Sequence, residues 1–358
     1  MNDILNNQID SLGISDFLEA SKKYTVESFP DLDIGNLFSN SLTGNISNVF
    51  PIQEIENIFL KEIKLAISLL ISIIVIIIIH SIFKAIVENL ENSSFSQVIY
   101  FVQYLIIATV TINYFLNCLE VTKSAINDVT NFINLLIPLL MTLMLTTGTI
   151  TTVTAVQPIL IFMISFIGNF INLYLIPLLL ISISISIVSN ISDKIQIGKF
   201  SKFLKSSIIW ILGIILTIFT CCLSLEGTLT SSVDGLTAKT AKAAVSNFIP
   251  VVGKIMGDTV DSVIGCGNIL KNSVGIIGVI IIIGIVAIPI IKVLVMWISF
   301  KITSAVCEVV ADVKIVKLLE QIADSYKILL AMLFSVSLMF VIGITLVIKI
   351  TNSSLMYR

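Results

Sequence analysis

The sequence predicts an all-α, polytopic membrane protein with about eight transmembrane helices plus amphipathic or re-entrant helices. Three observations lead there. The 358 residues are 56% hydrophobic and only 12% charged, with a mean hydropathy of +1.05, whereas soluble domains carry about a quarter charged residues. Residues 129–192 contain no Asp, Glu, Lys or Arg. Apolar windows also recur between lysine-bearing loops, and a bilayer core needs about 20 apolar residues as helix.

Residues 1–60 form a polar N-terminal region. Asp3, Asp10, Asp16, Glu19, Glu27, Asp31, Asp33, Glu54 and Glu56 stand there against Lys22 and Lys23. Helical periodicity at Ile9, Leu12, Phe17 and Leu18, and again at Ile52, Ile55, Ile58 and Phe59, predicts short amphipathic helices near the membrane surface. Pro30, Gly35, Gly44 and Pro51 interrupt the rest. The first thirty residues lack the basic start and continuous apolar core of a secretory signal.

Residues 61–225 read as an N-terminal membrane bundle of about six spans. The first is 65–83, bracketed by Lys64 and Lys84, and the second is roughly 98–117. The uncharged block 129–192 fits three spans, with breaks near Thr149–Thr152 and Gly168–Leu173 and with Pro138, Pro158 and Pro177 kinking them. Further spans are 206–225, 274–297 and 328–348, the last two within a C-terminal membrane region 274–348 followed by a tail 349–358. Lys194, Lys199, Lys202 and Lys205 place the loop 193–205 in the cytoplasm. Counting outward puts 226–273 outside, 298–327 inside, and both termini outside.

Between these blocks lies 226–273, which is charged, rich in small residues, and apolar at helical spacing. Pro250 divides it into two helical candidates. In the first, Ala238, Ala241, Val245 and Phe248 form a stripe opposite Lys239 and Lys242. In the second, Val252, Ile255, Met256, Val260 and Val263 form the stripe, and Gly253 and Gly257 make a G-x-x-x-G pair continued by Asp261. Lys254 and Asp258 sit at i,i+4, and Gly265-Cys266-Gly267 is expected to end the helix. Two readings stay open. The segment is either an interfacial hairpin covering the bundle or a packing or pore-lining re-entrant element with Lys239, Lys242, Asp258 and Asp261 facing water.

Residues 300–327 predict a cytoplasmic amphipathic helix. Ile302, Val306, Val309, Val313, Val316 and Leu319 lie opposite Glu308, Asp312, Lys317, Glu320 and Asp324. It lies on the surface or docks a cytoplasmic partner. Lys292, after Pro289, is expected to snorkel to the cytoplasmic interface.

Several chemistries are absent from the sequence. A net charge of -2 excludes a polybasic nucleic-acid surface. The single histidine, His80, rules out any His pair, and no G-x-S-x-G or G-x-x-x-x-G-K-[ST] motif occurs. Cys118, Cys221, Cys222, Cys266 and Cys307 form no C-x-x-C pair and read as buried small hydrophobes. No metal, cofactor or catalytic residue is expected.

The stretch SSVDGLTAKTAKAAVSNFIPVVGKIMGDTVDSVIGC at 231–266 resembles the signature region of the stage III sporulation protein AE family. The surrounding layout of polar N-terminus, uncharged multi-span block and two amphipathic segments is similar too. The resemblance implies a non-enzymatic, polytopic subunit of a secretion-like transenvelope channel that joins mother cell and forespore in endospore formers. Partners implied are other subunits of that channel, including a cytoplasmic ATPase and ring-forming proteins, and further copies of the chain. Family members usually begin with an export signal, from which this sequence departs. The residue-level candidates are Lys239, Lys242, Pro250, Gly253, Gly257, Asp258, Asp261 and Gly265. A secondary transporter for a small solute is the alternative, although matching interrupted helices in two halves are not evident.

Overall fold

The computed structural model describes residues 9–25, 33–43, 52–88, 93–191, 197–248 and 252–356, and the side chains of 226–262 lie outside what it describes. Every regular element among these residues is helical, in agreement with the predicted class. Two short amphipathic helices, α1 (Ile14–Thr25) and α2 (Ile34–Thr43), come first. Long helices follow: α3 (Ile52–Glu88), α4 (Ser93–Thr146), α5 (Ile150–Phe170), a π-helical turn (Ile171–Leu175), α6 (Ile176–Ile191), α7 (Gly198–Phe248), α8 (Val252–Cys307) and α9 (Val313–Met356).

Among the described residues, six helices are long and apolar enough to cross a membrane, and the expected count of about eight is not confirmed. The difference arises in two places. The expected second span and the start of the uncharged block are one helix, with an apolar stretch over Phe101–Thr146. Glu120, Lys123 and Ser124 are exposed, while Thr122, Ala125, Ile126 and Val129 are buried. The charges therefore occupy one stripe and leave the packing face intact, so they do not end the helix. The second merger joins α5 and α6 into one helical run, Ile150–Ile191. The break expected near Gly168–Leu173 is a π turn instead. Pro177 lacks the N–H that would bond the Leu173 carbonyl, and its ring crowds that carbonyl. A wider π turn relieves the crowding while keeping backbone groups paired, as an apolar surrounding requires.

The expected break near Thr149 does occur. Gly148 adopts φ 80°, a left-handed conformation that glycine tolerates at a helix end. The Gly148 N–H bonds the Leu145 carbonyl at 3.0 Å, and the Thr147 and Thr149 hydroxyls both donate to the Met144 carbonyl. These bonds close the last turn of α4, and the short connection turns the chain back so that α4 and α5 form an antiparallel hairpin.

Two further expectations are corrected. Gly265-Cys266-Gly267 does not terminate a helix, because α8 runs through it; apolar packing of Cys266 and Leu270 carries the helix on. Nor is 300–327 one amphipathic helix. It is split at Glu308–Asp312, where the Val310 and Ala311 N–H groups both bond the Cys307 carbonyl and α9 starts after Asp312. The 300–307 and 313–327 halves are the two arms of the α8–α9 hairpin, joined by a Lys301–Glu320 ion pair at 3.1 Å. Both partners are half-exposed, so that pair contributes little energy.

Helices α4, α8 and α9 form the centre. Phe300 and Phe115 pack on Tyr326 with ring centroids 5.2 Å apart in each pair. Tyr104 donates its hydroxyl to the Ile187 carbonyl at 2.7 Å, fixing α4 against α6. Around this centre, α3, α5–α6 and α7 present large apolar side chains outward, such as Ile71, Phe162 and Trp210.

Candidate functional site

The eight residues singled out from the sequence do not converge on one described site. Lys239 and Lys242 lie on the last turns of α7, and Gly253, Gly257, Asp258 and Asp261 on the first turns of α8. Pro250, between the two helices, lies outside the described residues, and the side chains of the other six lie outside those described. Gly265 is helical, and a Cβ placed there meets nothing within 4 Å. No close helix contact therefore depends on it.

Close approach occurs farther along α8, at Gly267, where a helix end is expected from the sequence, and at Gly275 and Gly278. A Cβ on Gly267 would stand 2.5 Å from the Thr146 hydroxyl, and one on Gly278 would stand 2.5 Å from a Leu136 methyl. At Gly275 it would overlap Ile348 of α9. These glycines let α8 nest against α4 and α9, the role small residues play where helices meet in lipid. Gly275 and Gly278, three residues apart, lie inside the apolar span 274–297, where their spacing carries no distinct signal.

Three polar seams cross the interior. The first joins α4 to α5 around the π turn. Asn172 donates to the Asn127 side-chain carbonyl at 2.6 Å, and Asn134 reaches Ser165 at 3.5 Å. Between them Gly168 receives Thr130, whose hydroxyl would lie 2.5 Å from an added Cβ. The Oδ1 atoms of Asn172 and Asn134 are buried without a protein partner. The second seam lies at the other end of α6. Ser182, Ser186 and Ser201 share hydrogen bonds of 2.6 to 3.0 Å, Asn190 donates to the Gln321 side chain at 2.6 Å, and Lys205 donates to the Gln321 carbonyl at 2.6 Å. In the third, by the α4–α5 reversal, Lys271 is fully buried and bonds Asn268 at 3.3 Å.

Lys292 donates to Asn117 of α4 at 2.8 Å in an exposed contact. The five cysteines are free; Cys118, Cys266 and Cys307 are buried, and Cys221 is exposed. His80 is on α3, with its side chain outside those described. The first two seams supply interhelical hydrogen bonds, each contributing about 0.6 kcal/mol in a membrane, whereas the Lys271–Asn268 bond lies within α8. A void of about 10 Å³ between α4, α5, α7 and α9 is lined only by apolar residues such as Ile133, Ile164, Phe219 and Phe340. It has room for no more than about one water.

Outside the spans, α1 rests on α4. Phe17 and Tyr24 contact the Phe132 ring at centroid distances of 6.0 and 5.6 Å. Burial, and secondarily the Asp128 carboxylate nearby, raises the Tyr24 phenol above its ordinary pKa.

The residues now placed in the fold can be set beside known proteins. The family model described as stage III sporulation protein AE matches residues 32–351. The stage III sporulation protein AE of Bacillus subtilis (strain 168) is 33% identical over 282 residues, covering 78% of this chain and 71% of that protein. No solved structure matches. The matched stretch takes in α2 and every long helix from α3 to most of α9, so the chain belongs to the stage III sporulation protein AE family.

Proposed function

We propose that this chain is a non-enzymatic, multi-pass membrane subunit of a secretion-like transenvelope channel that links mother cell and forespore during endospore development. Membership of a stage III sporulation family across residues 32–351 carries the reading, together with six helices of membrane-crossing length and composition. The membrane in question is the mother-cell-derived one around the forespore. Partners are the other channel subunits, including a cytoplasmic ATPase and ring-forming proteins, and further copies of this chain.

The fold supports such a role through its ends. Lys199 and Lys202 on α7 and Lys301, Lys314 and Lys317 on the α8–α9 hairpin gather at one end of the bundle, where Lys205 and Asn190 meet Gln321. Lysine-rich ends face the cytoplasm, so this is where a cytoplasmic motor meets the chain. The opposite end carries the α7–α8 connection with Lys239, Lys242, Gly253, Gly257, Asp258 and Asp261, which we assign to contacts in the intermembrane space.

Deleting the gene in a sporulating host should stop development after engulfment and silence late forespore reporters, with both restored by the wild-type gene. Normal spore yield without it overturns the proposal. Replacing Gly257 with Leu should block assembly, since a bulky side chain prevents close helix approach.

The second reading, a secondary transporter, draws on Asn172, a polar residue buried at a π turn inside a membrane-length helix. Under it, a small solute would protect cysteines placed along 234–266 from labelling. Under the channel reading, labelling is periodic and no solute alters it.

A further inference from the structure

α7 and α9 each carry a single uncharged window, 206–225 and 328–348, and these windows set the depth of the hydrocarbon layer. The interior void lined by Ile133 and Ile137 of α4, Ile164 of α5, Phe219 of α7 and Phe340 of α9 ties those helices to one common depth. At this depth the outward surface differs from side to side. α5 and the π turn expose Phe162, Phe166, Leu173 and Tyr174; α7 exposes Trp210, Ile214 and Ile218; α9 exposes Phe334 and Leu338. That flank is apolar at each of these outward positions, as a lipid-facing surface is.

The other flank is polar. α4 is level with α5 there, through Thr130 against Gly168 and Asn127 against Asn172, yet its outward stripe is Glu120, Lys123, Ser124, Asn127 and Asn131. On the same stretch of α4 sits α1, held by Phe17 and Tyr24 against Phe132. α1 buries Ile14, Phe17, Ser21 and Thr25 and turns Asp16, Glu19, Lys22 and Lys23 outward. Ser124 bonds Asp128 at 3.3 Å on this flank. Charged side chains at membrane depth persist only where they face protein or a water-filled cavity.

The geometry points to a water-filled recess along the α1–α4 flank, reaching the depth at which the opposite flank is coated by lipid. The lipid boundary is therefore oblique: it is high beside α3, whose apolar surface includes Ile71, Val75 and Ile78, and low beside α7 and α9. α3 is placed high because Gln103 of α4 bonds the Ile76 carbonyl at 3.3 Å, well along α4 from Phe132. Water reaches α1 beneath that span. The recess would take hydrated ions or an extended polar chain. It rests on depth and side-chain character and not on the channel reading, and a partner chain packed over this flank would leave Ser124→Cys as slow as the lipid positions.

Single cysteines in a full-length chain with its five native cysteines replaced test this in membranes. Ser124→Cys, nearly isosteric, and Glu19→Cys report the recess; Phe166→Cys, Ile214→Cys and Leu338→Cys report the lipid flank. A thiol reacts as its thiolate, which needs water, so a membrane-impermeant maleimide should label the recess positions on the order of tenfold faster than the lipid positions. Labelling from either face of the membrane supports the recess. Ser124→Cys reacting no faster than Ile214→Cys overturns it, and so does equally fast labelling of all five positions.

Discussion

The tightest test of the α4–α5 seam is Gly168→Ala. The new methyl would lie 2.5 Å from the Thr130 hydroxyl oxygen, 3.0 Å from its methyl and 3.3 Å from its Cβ. Thr130 cannot swing aside. It is β-branched, which restricts χ1 to few rotamers, and its hydroxyl is held by the Ile126 carbonyl at 2.7 Å. The helices must instead part. Separation also breaks the 3.5 Å Asn134–Ser165 contact and stretches the 2.6 Å Asn127–Asn172 bond. Overpacking costs about 1–3 kcal/mol, and each lost interhelical bond about 0.6 kcal/mol. Alanine regains up to about 1 kcal/mol of helix propensity over glycine. The net is a loss of roughly 1–3 kcal/mol, to be read from thermal or denaturant midpoints of the purified protein in detergent. Gly213→Ala on α7 is the control, because its Cβ meets nothing within 4 Å; it should be neutral or slightly stabilising. Adding Thr130→Ala to Gly168→Ala should restore most of the loss. If Gly168→Ala melts with Gly213→Ala, or if Thr130→Ala gives no rescue, the close approach is not what holds these helices together.

Two other outcomes are expected. Asn172→Ala should lower stability by about 0.5–2 kcal/mol, since it removes the buried donor of the part-buried interhelical bond to Asn127; a midpoint equal to wild type would refute the seam. Tyr24 should ionise above the ordinary tyrosine range in an ultraviolet pH titration, because burial and then Asp128 both disfavour the phenolate. A raised folded-state pKa means its contribution to stability is complete below about pH 10, the unfolded value, and is lost as pH rises through the folded one. Asp128→Asn should remove only the smaller, electrostatic part of the shift, leaving the burial part.

The helix ends that could be read in the sequence were those with their own local chemistry. Thr147-Gly148-Thr149 closes α4 with a left-handed glycine and two threonine hydroxyls, so a break was legible there to within a residue or two. At Gly168–Leu173 the same kind of sign misled. The glycine serves the approach of Thr130, and the proline that follows produces a π turn rather than an end. Glu120, Lys123 and Asp128 separate the expected span 98–117 from the uncharged block, yet they lie along one uninterrupted α4, with Glu120 and Lys123 exposed. Gly265 and Gly267 read alike as terminators. Gly267 in fact admits the α4–α5 reversal, while Gly265 faces open space.

Low charge and uncharged windows of about 20 residues determine that this chain is helical and built for a bilayer, because such windows match a spanning helix rather than a barrel strand and a helix satisfies its own backbone hydrogen bonds. The 231–266 stretch is specific enough to point to the family. Partner helices decide the rest: which glycines are contact points, which charges lie beside lipid-depth surface, and that four expected spans, the second and the three of 129–192, are two helices. Those outcomes depend on what lies across each interface. Residues distant along the chain, such as Thr130 with Gly168 or Phe17 with Phe132, meet only once the bundle has formed.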